Sequence, residues 1–466
     1  MQPATPINPH SRAESLTIGF GTTVGMWAIG YVARMPGAGA PSELLGVLML
    51  LCLFAGGLFA GRYGSRGWRG GVYGGLLAGA LNLLILGSVL SELEPNRIVP
   101  SKLLWIPGSL IAAMAVAGGG AAIGGLFRAT RSSTLNWRAS FHSVAIAATL
   151  LLLAAGGIVT GHEAGLAVPD WPNSYGYNMF LYPLSKMTGG IYYEHTHRLF
   201  GSLVGLVTIV LAVHTQFVER RRWVRRLAWL ALLAVIVQGV MGGLRVTGRF
   251  TLSTSPDALA PNLTLAIVHG VFAQVFLCLL IILRTAVTTT WMSERKPLRS
   301  ISAGTDLVLG WVLPFFILIQ LALGALLRHT QWGLNLHIAM ASLVALVGVA
   351  GGFRAWGLYP MLPTVSRLGT VLVCLIVAQI TLGIVALVAT GGEVTAGTAP
   401  SSLQVAITTT HQTVGALLLA CAVMLTAWKQ RLLTIPDVAA DAPAETTTET
   451  PTTTESEPTQ SHVCSS

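Results

Sequence analysis

Apolar runs of about 20 residues recur along most of this chain, and short segments carrying arginine or other polar residues separate them. A run of this length crosses a ~30 Å hydrocarbon core as a helix, and a helix satisfies its own backbone polar groups in lipid. The pattern predicts twelve spans, at roughly 15–34, 43–61, 70–90, 103–127, 140–160, 192–217, 227–246, 263–284, 305–327, 334–353, 367–390 and 403–427. The fold class is therefore predicted to be all-α integral membrane.

Composition and charge agree with that prediction and orient the chain. Hydrophobic residues make up 53% of the sequence and charged residues 10%, a balance that excludes a soluble globular class. Lys and Arg concentrate in alternate loops, so these loops and both termini are predicted to be cytoplasmic, in the cell inner (plasma) membrane. The net charge of +10 then reflects topology, and we predict no nucleic-acid partner. The Thr/Glu/Pro-rich residues 433–466 predict a disordered cytoplasmic tail.

From about residue 140 onward, pairs of predicted helices repeat with a period of about 70 residues. Each return helix carries one histidine about three to eight residues from its predicted start, at intervals of 72, 68 and 74 residues: His197, His269, His337 and His411. Three outbound helices carry Gln-x-x-x-Gly, at Gln238/Gly242, Gln320/Gly324 and Gln379/Gly383. The repeat predicts an eight-helix core over 139–432, built of two pseudo-symmetric four-helix bundles and preceded by about four extra helices in 1–138.

The four histidines are the leading functional candidates. An ionisable side chain in hydrocarbon is costly, so each one is a hypothesis for a site. Four at similar depth favour two bis-histidine haem sites, and chain order pairs His197 with His269 and His337 with His411. A helix–helix hydrogen-bond partner is the alternative for any single histidine. A small residue follows each histidine by four positions, on the same helix face, where a flat macrocycle could lie: Gly201, Ala273, Ala341 and Gly415.

The segment 193–198 is the most polar point at any predicted membrane edge. Glu194 lies three residues before His197, on the same helix face, where it could orient the histidine, titrate or act on the periphery of a ligand. A carboxylate placed at a helix start by the dipole is the alternative. Arg198, Arg245 and Arg328 lie near outer helix ends, where they could pair with haem propionates or simply anchor the helices at the interface. His195 points away from His197 and is given a secondary role.

Residues 140–427 resemble the haem A synthase family. The resemblance rests on Gly165-Leu166 and Pro169-Asp170-Trp171-Pro172 in the first outer loop, on Glu-x-x-His-Arg at Glu194, His197 and Arg198, and on the later single histidines. It implies oxidation of the C8 methyl of haem O to a formyl group by successive hydroxylation, giving haem A for terminal oxidases. It also implies that His197 and His269 are axial to the haem O iron, that His337 and His411 are axial to a haem b cofactor, and that Glu194 is the catalytic carboxylate.

Two features depart from that family. Many members carry a cysteine pair in the first outer loop, whereas residues 161–191 contain none. The first four spans hold no intramembrane histidine, so a structural or partner-docking role is predicted for them. Expected partners are haem O, an unidentified electron acceptor, haem O synthase or oxidase assembly factors, and membrane lipid. The alternative function is a membrane di-haem b-type electron-transfer cytochrome, which needs no carboxylate directed at the edge of a macrocycle.

Overall fold

The computed structural model describes residues 9–90, 94–128, 135–247, 262–293, 296–391 and 400–436. Within these ranges the chain forms twelve long helices and one single-turn helix, α9. Their bounds are α1 (Pro9–Arg34), α2 (Ser42–Tyr63), α3 (Trp68–Leu90), α4 (Trp105–Leu126), α5 (Trp137–Gly161), α6 (Gly189–Val218), α7 (Arg222–Thr247), α8 (Leu263–Ala286), α9 (Thr289–Met292), α10 (Ala303–Thr330), α11 (Leu334–Leu358), α12 (Pro363–Ala389) and α13 (Ser402–Leu432). Short 3₁₀ turns lie at Pro100–Leu104, Met179–Leu181 and Leu184–Lys186, and two-residue strands are β1 (Leu298–Arg299) and β2 (Leu433–Thr434).

Eleven of the described helices are long and apolar enough to cross a membrane. The prediction of an all-α, multi-pass membrane protein is therefore confirmed. We predict twelve spans, and the third of them is a helix, α3, that is not among these eleven.

Side-chain caps determine where several core helices begin. Asn136 accepts from the Ala139 amide at the start of α5, and Asn262 accepts from the Leu265 amide at the start of α8. Ser401 and Gln404 form a reciprocal capping box on α13. Since the depth of a histidine is counted from the start of its helix, the caps of α8 and α13 help to set the depth of His269 and His411.

The eight helices of the core form two closed groups of four. In each group the four helices pack around a ring in chain order, α5–α6–α7–α8 in the first and α10–α11–α12–α13 in the second. The two groups meet where α13 contacts α5 and α8 and where α10 contacts α8. Leu153, Leu277, Ile281, Ala416 and Ala420 form a buried apolar cluster at this junction.

The first four helices make a bundle of their own that rests on the core. Glycines allow the closest approaches, because a Cβ at Gly57 or Gly61 of α2 would overlap the backbone of α4 at Ala117 or Ala121. Helix α1 then packs along α5 and reaches α6. The four helices therefore form a distinct bundle that packs on the histidine-bearing core through α1, and α3 also contacts the 3₁₀ turn at Met179–Leu181.

Ion pairs connect the helices at the end of the core away from the histidines, which is called here the arginine-rich end. Arg138 and Arg221 both hold Glu219, at 2.7 and 2.8 Å. Burial raises the pKa of Glu219, but hydrogen bonds from Arg221 and Arg138 outweigh burial and lower the pKa to about 2. Asp306 is fully buried among Arg354, Lys429 and the Tyr359 hydroxyl. The carboxylates at this end are thus compensated from several elements.

The chain after α13 is described for only a few residues. Strand β2, the first two residues of the predicted tail, pairs in parallel with β1 in the α9–α10 connection. Residues 437–466 lie outside the described residues.

Candidate functional site

The four predicted histidines share one local geometry. Each lies three to nine residues after the first residue of its helix, at the same end of the core. Each ring lies against a glycine of the preceding outbound helix, where a Cβ would come within 3.0–3.2 Å of the imidazole Cε1 atom. In all four cases Nδ1 is the next nearest atom and Nε2 the third. The glycine and histidine pairs are Gly156/His197, Gly242/His269, Gly324/His337 and Gly383/His411.

The glycines of the three Gln-x-x-x-Gly motifs therefore have a structural task, which is to let an imidazole reach the neighbouring helix backbone. The first outbound helix lacks the glutamine, since Leu152 stands in its place, but it keeps the glycine as Gly156. The motif and the histidine were predicted as parallel repeats, without a contact between them. Each glycine lies five or six residues before the end of its outbound helix, and each histidine lies three to nine residues after the start of the return helix. This shared position near one end of the helices was the signal that could have predicted the contact.

The glutamines of the motif act differently in the two bundles. Gln238 donates to the backbone carbonyl of His269 at 2.8 Å. In the second bundle the glutamine amide nitrogens approach the rings, at 3.2 Å from both nitrogens of His337 for Gln320 and at 3.4 Å from His411 Nε2 for Gln379. A nitrogen equally distant from both ring nitrogens lies over the ring face, so Gln320 packs onto His337.

The small residues that follow the histidines have unequal surroundings. A Cβ added at Gly201, four residues after His197, would meet nothing within 4 Å. At Gly415, four residues after His411, it would meet the Gln379 amide nitrogen at 3.2 Å. The open surface that was expected beside every histidine is therefore present beside His197 and is covered by Gln379 beside His411.

The structure brings the histidines together two by two. The rings of His337 and His411 lie 6.5 Å apart between centroids, with an interplanar angle of 70°. His197 and His269 are close enough to interact electrostatically. Each pair therefore belongs to one four-helix bundle, the first to α5–α8 and the second to α10–α13.

The spacing of His337 and His411 fits a metal ion held between two imidazoles. Two metal–nitrogen bonds of ~2 Å in line between two imidazole rings place the ring centroids about 6.3 Å apart, close to the 6.5 Å separation of His337 and His411. Nδ1 of His197, His269 and His411 is buried without a hydrogen-bond partner among the described residues. The described residues contain no group of three or more His, Cys, Asp or Glu side chains that could hold a bare metal ion. Two imidazoles per site suit a metal whose other ligands come from a macrocycle.

A buried carboxylate distinguishes the first bundle. Glu194 is 4% exposed, and its two carboxylate oxygens accept separate hydrogen bonds, one from Arg198 Nη2 at 2.7 Å and one from the Val168 amide at 2.8 Å. Arg245 adds a further electrostatic interaction with Glu194 and with His197. Glu194 therefore faces the outer loop and two arginines rather than accepting a hydrogen bond from His197.

The first outer loop, residues 162–188 between α5 and α6, is held in place by the side chains that suggested the family resemblance. Arg198 donates to the carbonyls of Val168, Asp170 and Asn173, in addition to Glu194. Asp170 accepts from the amides of Tyr175 and Gly176. The Trp171 indole covers Gly243 of α7 so closely that a Cβ there would overlap it.

The three arginines predicted near propionates are placed as follows. The Arg198 guanidinium donates its hydrogen bonds to the loop carbonyls and to Glu194. The Arg245 guanidinium packs over Gly165 of the loop, and its Nε is buried without a partner among the described residues. Arg328 donates to the Thr160 carbonyl at the end of α5, which ties the two bundles together. Of the three, Arg245 interacts electrostatically with both His197 and His269, whereas Arg198 interacts with His197.

Two further histidines help to seat the loop. His195 is buried, and its Nδ1 lies 3.0 Å from the Ser174 hydroxyl, with Tyr182 against the ring. His162 stacks on Tyr193 at 4.3 Å, and burial lowers the pKa of His162, which favours the neutral ring. His195 points away from His197, as the sequence analysis expected, and its task is to pack the loop.

The N-terminal bundle reaches this site, which the sequence analysis did not foresee. Tyr31 of α1 stacks on Tyr192, whose hydroxyl donates to the Tyr31 carbonyl at 2.6 Å. In the α3–α4 connection, Asn96 accepts from the Asn178 amide at 2.6 Å and donates to the Gly176 carbonyl. The bundle thus contacts both the helix that carries Glu194 and His197 and the loop that covers them.

The fold and the site together define a multi-pass helical membrane protein with a histidine pair in each of two four-helix bundles. Residues 139–337 match the COX15-CtaA family, described as cytochrome oxidase assembly protein. This part of the chain belongs to that family, which is the haem A synthase family, so the resemblance drawn from the motifs is confirmed. The match supports a role in cytochrome oxidase assembly; it includes His197, His269 and His337 and ends before His411. No curated protein matches the chain.

Proposed function

We propose that this protein is a haem A synthase that oxidises the C8 methyl group of haem O to a formyl group. The observation that carries the proposal is the asymmetry between the two histidine pairs. The first pair lies beside a buried carboxylate, two arginines and a fastened outer loop, whereas the polar side chains described at the second pair are Gln320 and Gln379. Charged groups suit a site where a substrate reacts, and neutral surroundings suit a site that only passes electrons.

In the first bundle, His197 and His269 would hold the haem O substrate through its iron. Gly156 and Gly242 let the two imidazoles approach the helix backbones, so each ring is positioned by packing on one side. Arg245, whose buried Nε has no partner among the described residues, is the arginine best placed to pair with a propionate. The outer loop, held by Arg198, would exclude water from the reacting edge.

In the second bundle, His337 and His411 would hold haem b. That cofactor would supply one-electron transfer when bound. Gln320 and Gln379 would fix the orientation of the rings, because their amide nitrogens already lie against them. Gly324 and Gly383 would set the distance from each ring to its neighbouring helix.

Conversion of the methyl to the formyl group with water as the oxygen source takes up one water molecule and releases four electrons and four protons. Successive hydroxylation passes through the alcohol and then the hydrated aldehyde, which loses water. The electrons leave to an acceptor outside this chain. Glu194 would act in this sequence as a fixed negative charge, because both of its oxygens accept hydrogen bonds from strong donors. A carboxylate held in this way is better suited to stabilising a developing cation than to removing a proton.

The test uses a host that makes haem O and has no haem A synthase of its own. The extracted haems are separated by chromatography and identified by mass. We expect haem A from the wild-type chain, none from His197→Ala, and a large loss from Glu194→Gln. Glu163→Gln removes an exposed carboxylate from the same loop and serves as the matched control, with full haem A formation expected.

Two outcomes would count against the proposal. Full haem A formation by Glu194→Gln, in a variant purified at wild-type yield, would remove the carboxylate from the reaction. The second outcome is a purified protein that holds two haems b permanently while the haem O of the host stays unconverted, although the host's terminal oxidase pathway is present. That result would favour the di-haem electron-transfer cytochrome instead.

A further inference from the structure

A polar cavity lies at the arginine-rich end of the core, between the two four-helix bundles and away from the four histidines. Its volume is about 470 Å³, and it is open to the surface. Helices α5 and α8 line it from the first bundle, and α12 and α13 line it from the second. Seven uncharged polar residues line it: Asn136, Ser140, Ser143, Thr288, Thr289, Thr290 and Thr364.

Two arginines, one from each bundle, also line this cavity. Arg284 of α8 is partly buried and donates through Nε to the Ser143 hydroxyl at 3.3 Å. Arg367 of α12 is exposed at the rim. Neither forms an ion pair with a carboxylate among the described residues. An arginine fork without a carboxylate, surrounded by hydroxyl groups, is an arrangement that binds phosphate oxygens.

The acids described at this end are already neutralised by other cations. Glu219 is held by Arg138 and Arg221, and Asp306 by Arg354 and Lys429. The two cavity arginines therefore contribute a positive field that these acids leave uncompensated. Because charge separated from its counter-ion is costly in a low-dielectric setting, an anion entering the cavity would be stabilised.

The rest of the lining is apolar and lies at a helix end of a membrane-spanning core. Leu368, Met424 and Trp428 form this part of the wall. A ligand that fits must therefore present an anionic head to the arginines and an apolar portion to these side chains. Basic pockets between membrane helices on the side rich in Lys and Arg are recognised places for anionic lipid headgroups.

We propose that this cavity binds the phosphate headgroup of an anionic phospholipid and that the lipid bridges the two bundles. Arg284 and the hydroxyl groups would bind the phosphate oxygens, Arg367 would close the rim, and the acyl chains would leave along Leu368 and Met424. The bound lipid would join α8 to α12, each of which contributes one arginine to the cavity. This proposal is independent of the reaction carried out at the histidines.

The test measures lipid binding by native mass spectrometry of the full chain released from detergent. Phosphatidylglycerol, phosphatidylcholine and inorganic phosphate are each added to delipidated protein. We expect phosphatidylglycerol to bind at one site, with phosphatidylcholine at least tenfold weaker. An arginine near an anionic headgroup contributes about 1 kcal/mol, which corresponds to about a fivefold change in affinity. Arg367→Gln should therefore weaken the binding of phosphatidylglycerol about fivefold, and Arg284→Gln combined with Arg367→Gln about 30-fold.

A matched double variant separates the cavity from the general positive charge of this end. Arg62→Gln with Arg69→Gln removes the same charge from the adjoining ends of α2 and α3, where both arginines lie over aromatic rings outside the cavity, and it should keep wild-type affinity. Arg367 is exposed, so its single variant keeps the test open if the double variant folds poorly. Three results would each overturn the lipid proposal. They are an equal loss of phosphatidylglycerol affinity in both double variants, equal binding of the two lipids, and displacement of phosphatidylglycerol by saturating inorganic phosphate.

Discussion

Three neighbouring glycines of α7 give a graded test of how the first histidine pair is positioned. An added Cβ would meet nothing within 4 Å at Gly239, would lie 3.2 Å from His269 Cε1 at Gly242, and would overlap the Trp171 indole at Gly243. Carbon atoms in ordinary contact are ~3.5–4.0 Å apart, so the His269 ring must yield by ~0.3–0.8 Å in Gly242→Ala. This displacement exceeds the ~0.2 Å tolerance of a metal–ligand bond.

The expected energies follow from two opposing terms. Alanine in place of glycine favours a helix interior by ~1 kcal/mol, while overpacking costs ~1–3 kcal/mol. Gly239→Ala should therefore raise stability by up to ~1 kcal/mol. Gly242→Ala should range from neutral to ~2 kcal/mol destabilising, and Gly243→Ala should be the worst of the three because the indole and the loop must move.

The assay has two readouts on the same purified proteins in one detergent. Thermal unfolding ranks stability, and the Soret absorbance per protein after loading with haem O measures occupancy of the first bundle. We expect Gly239→Ala to match wild type in haem binding and Gly242→Ala to bind several-fold less haem, even where its unfolding temperature is near that of wild type. Equal haem binding by Gly239→Ala and Gly242→Ala would refute the positioning of His269 by Gly242.

The remaining predictions concern the loop and the arginine-rich end. Asn96→Gly allows the left-handed backbone of this residue, φ 62°, but removes its two hydrogen bonds to the outer loop. The amide hydrogen exchange of residues 162–188 should therefore become faster. The control is Glu94→Gln, which breaks an exposed ion pair with Arg97 and should leave that exchange unchanged. Because the pKa of Glu219 is lowered from 4.5 to about 2 in the fold, its ionised form stabilises the protein at neutral pH by about 3 kcal/mol, and this contribution is lost as the pH falls from about 4.5 towards 2. Glu219→Gln should therefore lower the unfolding temperature at pH 7 and differ much less from wild type near pH 3; a difference that is constant with pH would contradict this account.

The motifs singled out candidate residues but did not predict what each of them contacts. Arg198 was a candidate for a propionate, and the structure shows it bound to Glu194 and three loop carbonyls. Long arginine side chains reach several acceptors from one helix position, so sequence spacing alone does not choose among them. Pairing of any arginine with a propionate stays a prediction.

The role of the N-terminal bundle was not accessible from its sequence. Its helices are apolar on most faces and rich in glycine, which predicts close packing but does not say against what. Only the folded chain shows that Tyr31 meets Tyr192 and that Asn96 meets Gly176 and Asn178. These contacts join residues 80 to 161 positions apart, which no local pattern encodes.

The sequence by itself determined the membrane class, the bounds of most helices, the repeat in the core and the depth of the four histidines. These properties depend on hydrophobic periodicity and helical rise, which are local. Tertiary structure alone decided that His337 faces His411, that each imidazole lies on a glycine of the next helix, and that Glu194 turns towards Arg198 and the outer loop. The physical reason is that side-chain partners depend on how helices are rotated about their axes against their neighbours, and that rotation is set by packing over the whole bundle.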